Sequence, residues 1–187
     1  MSLIPADGVR VVDVLNDFEL TETGRYRLPN LQSGSPLDVV VQLRVGAEAV
    51  GTQMRLIDLR LGFTPQDAKN AEVLKQAHTV EFDNRAALER SALNHEVIKA
   101  VQFLMNARAR NEAMKRMDRG DYDGAISILG SSLAETQAAC AEFPMASAVV
   151  EECASLAEAS RSLTDRLKDR MSRKKLAYAA YSRRTGK

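Results

Sequence analysis

The side chains best suited to metal binding or nucleophilic catalysis are two histidines, His78 and His95, and two cysteines, Cys140 and Cys153. None of the four has a second ligand or a catalytic partner at motif spacing. The sequence also has no CxxC, HExxH, GxSxG, GxGxxG or Walker motif. His78 falls in a predicted strand and His95 on a predicted helix, which favours structural or surface roles. We therefore expect no catalytic, cofactor or metal site, and no enzyme.

An acidic cluster, Asp118, Asp121 and Asp123, is a second candidate for metal binding. Its spacing is not that of a calcium-binding helix-loop-helix, and Leu129 stands where a bidentate Glu would be needed. The tripeptide RGD at residues 119–121 matches an adhesion motif, but it joins two predicted helices. Helix capping and the turn account for these residues better than binding does.

The two cysteines predict buried, reduced thiols rather than a disulfide or a zinc site. No apolar run approaches the roughly 20 residues that a membrane span needs. The chain also lacks the charged start and apolar core of a signal peptide. These features predict a cytoplasmic protein that does not bind membranes.

Basic side chains near the C-terminus are the main candidates for binding an acidic partner. The net charge is only +1, yet residues 121–160 contain no Lys or Arg and residues 161–187 are rich in both. The candidate residues for binding nucleic acid or another polyanion are Arg170, Arg173, Lys174, Lys175, Arg183 and Arg184. Alternatively, they complement a helix dipole and neutralise the acidic predicted helix at 121–142. Few aromatic residues accompany them, which favours this structural role, so nucleic acid is not the expected partner.

The first 83 residues show the period-two pattern of strands. Apolar residues alternate from Leu37 to Val45, and a second strand changes phase between Leu56 and Ile57, which predicts a β-bulge or a bend there. Three further segments complete about five strands, namely 9–18, 25–31 and 71–82. Residues 1–83 are therefore predicted to form an antiparallel β-sandwich or sheet.

Helical periodicity begins after Asp83 and Asn84, either of which can cap a helix. The first helix is expected to end at Gly120, the second to begin at Asp121, and the third to begin near Met145. The fold class is thus α+β, with a three-helix bundle and a basic tail over residues 84–187.

Two apolar patterns indicate how these helices pack. The run at 97–105 is apolar nearly all round and predicts a hub shared by the helices and the sheet. Its expected buried residues are Val97, Ile98, Val101, Leu104 and Met105. In the third helix, coiled-coil-like spacing relates Cys153, Leu156, Ser160, Leu163 and Leu167.

The segment DRGDYDGAISIL is similar to the turn between two helices of a tetratricopeptide repeat. Arg116 stands where an aromatic residue is usual, and no second copy occurs at a period near 34 residues. A solenoid needs about three units to bury its faces. The segment therefore predicts a single helical hairpin.

The order DGVRVVDV, RYRLPNLQSGSPLDVVVQLRVG, GTQMRLIDLRLGF and DRGDYDGAISIL, with a terminal YSRRTGK, resembles the region that follows the von Willebrand factor A domain in a class of bacterial proteins. The resemblance implies a β-sandwich and helical bundle that accompany a metal-dependent adhesion domain. That family's metal-binding DxSxS motif would lie upstream and is not in this sequence. The opening MSLIPADGVR favours an added leader, residues 1–3, on a fragment of a longer protein.

We therefore expect a non-catalytic module for protein interaction or scaffolding that binds a protein of unknown identity. The alternative is polyanion binding through the basic C-terminal helix. A sheet that lacks strands would leave an open edge, which predicts a homodimer through that edge, with residues 9–15 as a segment that could be exchanged.

Overall fold

The computed structural model describes residues 1–31, 34–66, 68–91, 94–142, 147–164 and 169–186. The chain divides into two compact units. The strand unit comprises Met1–Gln32 and Val41–Ala92, and the helical unit comprises Ser33–Val40 and Leu93–Lys187. The α+β class is confirmed. The division lies later than the predicted boundary at 83/84, and a short segment before Val41 belongs with the helices.

The strand unit contains two small antiparallel sheets. One has the order β1 (Ser2–Pro5), β4 (Gln53–Phe63) and β5 (Glu72–Glu81); the other pairs β2 (Val9–Val14) with β3 (Val41–Val45). Four of the five predicted strands are present and pair antiparallel, and β1 is a strand that was not predicted. These two sheets do not establish a sandwich. Residues 1–3, interpreted above as a leader, overlap β1, which pairs with residues 57–60 of β4.

The predicted β-bulge is confirmed. The pairing between β4 and β5 shifts register between Arg55 and Ile57, so Leu56 is the extra residue. The extra residue explains the change of phase in the sequence, because side chains after a bulge exchange faces. The predicted partner strand after residue 70 is confirmed as β5.

Two predicted strands are shorter than expected, and a third is absent. The strand predicted at 9–18 ends at Val14. The strand predicted at 37–45 begins only at Val41, because its partner β2 ends at Val14, directly opposite Val41. The segment 25–31 contributes a single bridge, between Tyr26 and Leu20. Pro29 in this segment has no backbone N–H to donate, which disfavours a longer ladder.

The described residues contain five helices rather than the predicted three. They are α1 (Arg85–Arg90), α2 (His95–Asp118), α3 (Tyr122–Glu142), α4 (Ser147–Thr164) and α5 (Asp169–Thr185). Asn84 caps α1 as predicted, but Asn94 caps a separate helix, so the expected first helix is divided in two. None of the described helices combines the length and apolar content that crossing a bilayer requires.

The predicted helical hairpin is confirmed at the turn between α2 and α3. Arg119 closes α2, and Gly120 adopts a φ of 79°, a conformation that favours glycine. Asp121 caps α3 by accepting a hydrogen bond of 2.9 Å from the backbone N–H of Gly124. The RGD tripeptide thus supplies a helix stop, a turn and a helix start.

In the helical unit, α2 packs against α3 and α5, and α4 also packs against α3 and α5. The core cluster comprises Ala113, Met117, Ala125, Leu129, Leu156, Leu163 and Leu176. Burial of Leu156 and Leu163 confirms part of the predicted stripe in the third helix, whereas Met145 and Leu167 lie outside the described residues. The predicted hub is wrong in part: Leu104 is buried, but Val97 and Met105 are 52% and 42% exposed. Only Lys99 and Gln102 interrupt this apolar run, so the sequence indicated little about which side faces solvent.

Candidate functional site

A buried charge cluster connects three helices of the helical unit. Arg110 of α2 donates a hydrogen bond through Nη1 to Oε1 of Glu152 in α4. Arg183 of α5 donates to Oε2 of the same carboxylate from Nε and Nη2, at 3.2 and 3.1 Å. The side chains of Arg110 and Glu152 are 1% and 3% exposed, whereas that of Arg183 is 35% exposed.

Neighbouring groups complete the environment of this cluster. Arg110 Nη2 donates to Ser155 Oγ at 3.2 Å. The guanidinium of Arg183 lies over the ring of Phe103, 4.3 Å from its centre, in a cation–π arrangement. Burial of charge is tolerated only when the groups are paired and hydrogen-bonded, and both conditions hold here. The arrangement fixes three helices relative to one another.

A second polar group lies on the same face of α2, where it meets α3. Oδ1 of Asn106 accepts hydrogen bonds from Ser132 Oγ at 2.7 Å, Thr136 Oγ1 at 3.1 Å and Gln102 Nε2 at 3.3 Å. The Nδ2 atom of Asn106 is buried and has no hydrogen-bond partner among the described residues. These contacts fix the register of α2 against α3.

A cavity of about 50 Å³ adjoins the charge cluster. Its lining residues are Arg110, Ser155, Glu158, Ala159, Ser162, Lys175, Leu176 and Ala179. Pockets for small-molecule ligands are typically about 300 to 1,000 Å³, so this one has room for a few water molecules rather than for a substrate.

Two of the six basic residues predicted to bind a polyanion are paired with carboxylates. Arg183 is held by Glu152, and Lys175 Nζ donates to Glu158 Oε1 at 2.9 Å. Lys174 is exposed and Arg184 half-buried. The side chains of Arg170 and Arg173 lie outside the described residues. The carboxylates that Lys175 and Arg183 contact lie on α4, whereas the prediction named the helix at 121–142.

The four reactive side chains are placed as follows. His78 in β5 and His95 at the start of α2 are exposed, in agreement with surface roles. Cys140 and Cys153 are unbridged, as predicted, but half-buried rather than buried. Within the described ranges, no group of three or more His, Cys, Asp or Glu residues is arranged to hold a metal ion.

The outer edge of β5 is the feature of the strand unit best suited to binding a protein. β5 is the last strand in the order β1, β4, β5. It pairs with β4 on one side, and no strand of the described residues pairs with its other side. All ten of its residues are exposed, including the apolar Val73 (60%), Leu74 (50%) and Val80 (38%). The unpaired edge of such a strand presents a row of backbone donors and acceptors to which another strand can bind.

No protein-family model, curated protein or solved structure matches this chain. The resemblance to the region after a von Willebrand factor A domain therefore stays an expectation.

Proposed function

We propose that this chain is a non-catalytic protein-interaction module whose docking surface is the outer edge of β5. The observation that carries the proposal is a ten-residue edge strand that is exposed throughout and unpaired on one side. Pairing with an extended strand would satisfy the outward N–H and C=O groups, as in other cases of β-strand addition. The strand that we propose to bind there is β5 of a second copy of the chain.

Charge complementarity within β5 supports that occupant. In an antiparallel pair, residues opposite each other point to the same face. A two-fold axis through His78 would therefore place Lys75 of each copy opposite Glu81 of the other. Centring the pair on Lys75 would instead oppose two lysines, which is destabilising. The charges thus favour the register centred on His78.

The pairing should be reversible. A stable interface usually buries roughly 1,200 to 2,000 Å², and one added strand on each copy buries less. We expect monomer in dilute solution and dimer at high concentration. Because the second copy would be held weakly, an extended segment of another protein can replace it at this edge, as a scaffold requires.

Sedimentation equilibrium over a range of concentrations tests the proposal. Lys75→Glu and Glu81→Lys should each weaken the dimer, because each places like charges opposite each other twice. The double variant should restore it. Leu88→Glu introduces a charge at an exposed site outside β5 and is the matched control. A chain that stays monomeric, or a dimer indifferent to both reversals, would overturn this docking surface.

The alternative function, polyanion binding through the C-terminal helix, has less support because Lys175 and Arg183 are engaged by carboxylates. Retention of DNA on filters at low salt, lost at high salt, would favour it instead.

We further propose that the module accompanies a von Willebrand factor A domain in a cytoplasmic protein. The unbridged thiols support the location. A DxSxS sequence encoded ahead of residue 7 would support the family.

A further inference from the structure

The cavity of about 50 Å³ beside the buried charge cluster is lined by three helices of the helical unit. α2 contributes Arg110, α4 contributes Ser155 and Glu158, and α5 contributes Lys175. The Arg110 side chain is only 1% exposed, so its guanidinium holds a permanent positive charge away from bulk water. The cavity wall therefore combines positive charge with hydrogen-bond donors, which is the combination that binds anions.

Positive charge exceeds negative charge in this group of side chains. Arg110 and Arg183 share the one carboxylate of Glu152, while Lys175 Nζ pairs with Glu158 Oε1 at 2.9 Å. These five side chains carry three positive and two negative charges, so one positive charge is left over within the group. A bound anion of single charge would balance it. A divalent anion would be repelled more strongly by the Glu158 carboxylate in the cavity wall.

We propose that this cavity is a binding site for a monovalent anion of the size of chloride. The ion would lie against the Arg110 guanidinium and the Ser155 hydroxyl, with the Lys175 ammonium on the exposed side. Because these groups come from α2, α4 and α5, the ion would link the same three helices as the buried charge cluster. The site belongs to the helical unit and does not depend on the docking proposed for β5.

The donors and the size of the cavity favour chloride. Ser155 Oγ accepts a hydrogen bond of 3.2 Å from Arg110 Nη2, which leaves its own O–H as a donor. A water molecule needs about 10 to 15 Å³ of such space, and chloride is only slightly larger than water. Ala159 and Leu176 form an apolar part of the wall. This part favours an ion that gives up its hydration more easily than fluoride does.

Lys175 and Glu158 should influence the affinity for the anion in opposite directions. Their side chains are 67% and 68% exposed, so either can be replaced without leaving a buried charge unpaired. Lys175→Met removes a positive charge from the cavity wall and should weaken binding. Glu158→Gln removes the negative charge and should strengthen it. Each change should be about fivefold, the effect of one unit charge at a distance of about 4 Å in water.

The width of the chloride NMR signal in the presence of the full chain tests the proposal, because chloride relaxes faster when it is bound. We expect broadening with the wild-type chain, less with Lys175→Met and more with Glu158→Gln, all at constant ionic strength. Bromide should displace the bound chloride, whereas gluconate is too large for the cavity and should not. Lys115→Met removes an exposed lysine of α2 that does not line the cavity, and it is the matched control.

Absence of broadening with the wild-type chain would overturn the proposal and assign the cavity to water. Equal losses in Lys115→Met and Lys175→Met would show diffuse attraction to surface lysines and would overturn it as well. So would a signal that does not broaden further in Glu158→Gln, because the bound ion would then lie away from this carboxylate. Far-UV circular dichroism of each variant establishes that the helices are retained.

Discussion

Replacing Glu152 by Leu should destabilise the helical unit more than most single substitutions. Glu152 is the carboxylate that both Arg110 and Arg183 contact, and it is almost completely buried. Without it, the charge of Arg110 is buried and uncompensated, because its guanidinium is only 1% exposed. Removing one partner of a buried ion pair costs about 3 to 5 kcal/mol. Arg183 is less affected, since its side chain can turn toward water.

A double-mutant cycle distinguishes this charge effect from lost packing. Arg110→Met should cost less than Glu152→Leu, because Arg183 still pairs with the Glu152 carboxylate. The double variant should recover much of the loss, because apolar side chains can replace a buried pair at little cost. Urea unfolding followed by far-UV circular dichroism reports on the helical unit. We expect a favourable coupling of more than about 2 kcal/mol.

The exposed pair Lys175–Glu158 provides the matched control, because it also links α4 to α5. Lys175→Met should change the unfolding midpoint little, since exposed ion pairs contribute little to stability. If the costs of the Arg110 and Glu152 variants simply add, or if either is below about 1 kcal/mol, the buried pair does not hold the helices as described.

Two further predictions concern backbone and charge. Gly186→Ala should destabilise the helical unit, because Gly186 has a φ of 69° and a Cβ there would collide with the carbonyl oxygen of Pro36. Gly130→Ala in α3 should stabilise it by about 0.5 to 1 kcal/mol, because the added methyl meets no described atom beyond its chain neighbours and the backbone of its own helix. Thermal unfolding of both variants measures these shifts, and shifts of the same sign would contradict the placement of Gly186. A hydrogen bond from Lys175, and then its positive charge, lower the pKa of Glu158, so an NMR titration should show that pKa rise in Lys175→Met. Because the pKa of Glu158 is lower in the folded than in the unfolded chain, any stability from the pair is present above the unfolded pKa and is lost as the pH falls through the folded pKa. An unchanged pKa of Glu158 in Lys175→Met would refute the contact.

Local features of the fold could be predicted because their causes lie within a few residues. The bulge at Leu56 follows from a change in strand phase, and the turn at Gly120 follows from a glycine placed between a helix stop and a capping Asp. The start of β3 could not be predicted in this way. It depends on where β2 stops, which is a property of a distant segment.

The buried charge cluster was not predicted, although a signal for it exists in the sequence. Glu152 lies on the same stripe of α4 as Val149, Leu156 and Leu163, all of which are buried. A lone charge on an apolar stripe indicates a buried partner, but the sequence does not say which one. Arg110 is 42 positions away, so only the folded structure shows the pairing.

Amide hydrogen exchange of residues 72–81 in dilute and concentrated solution is the most direct measurement of docking at the β5 edge. In the isolated chain, about half of these amides should exchange freely, because the backbone N–H groups of alternate residues in an edge strand point away from β4. We predict that exchange slows in β5 at high concentration in the wild-type chain and does not slow in Lys75→Glu. Equal exchange at both concentrations, or protection that appears in α5 instead of β5, would contradict the proposed docking surface.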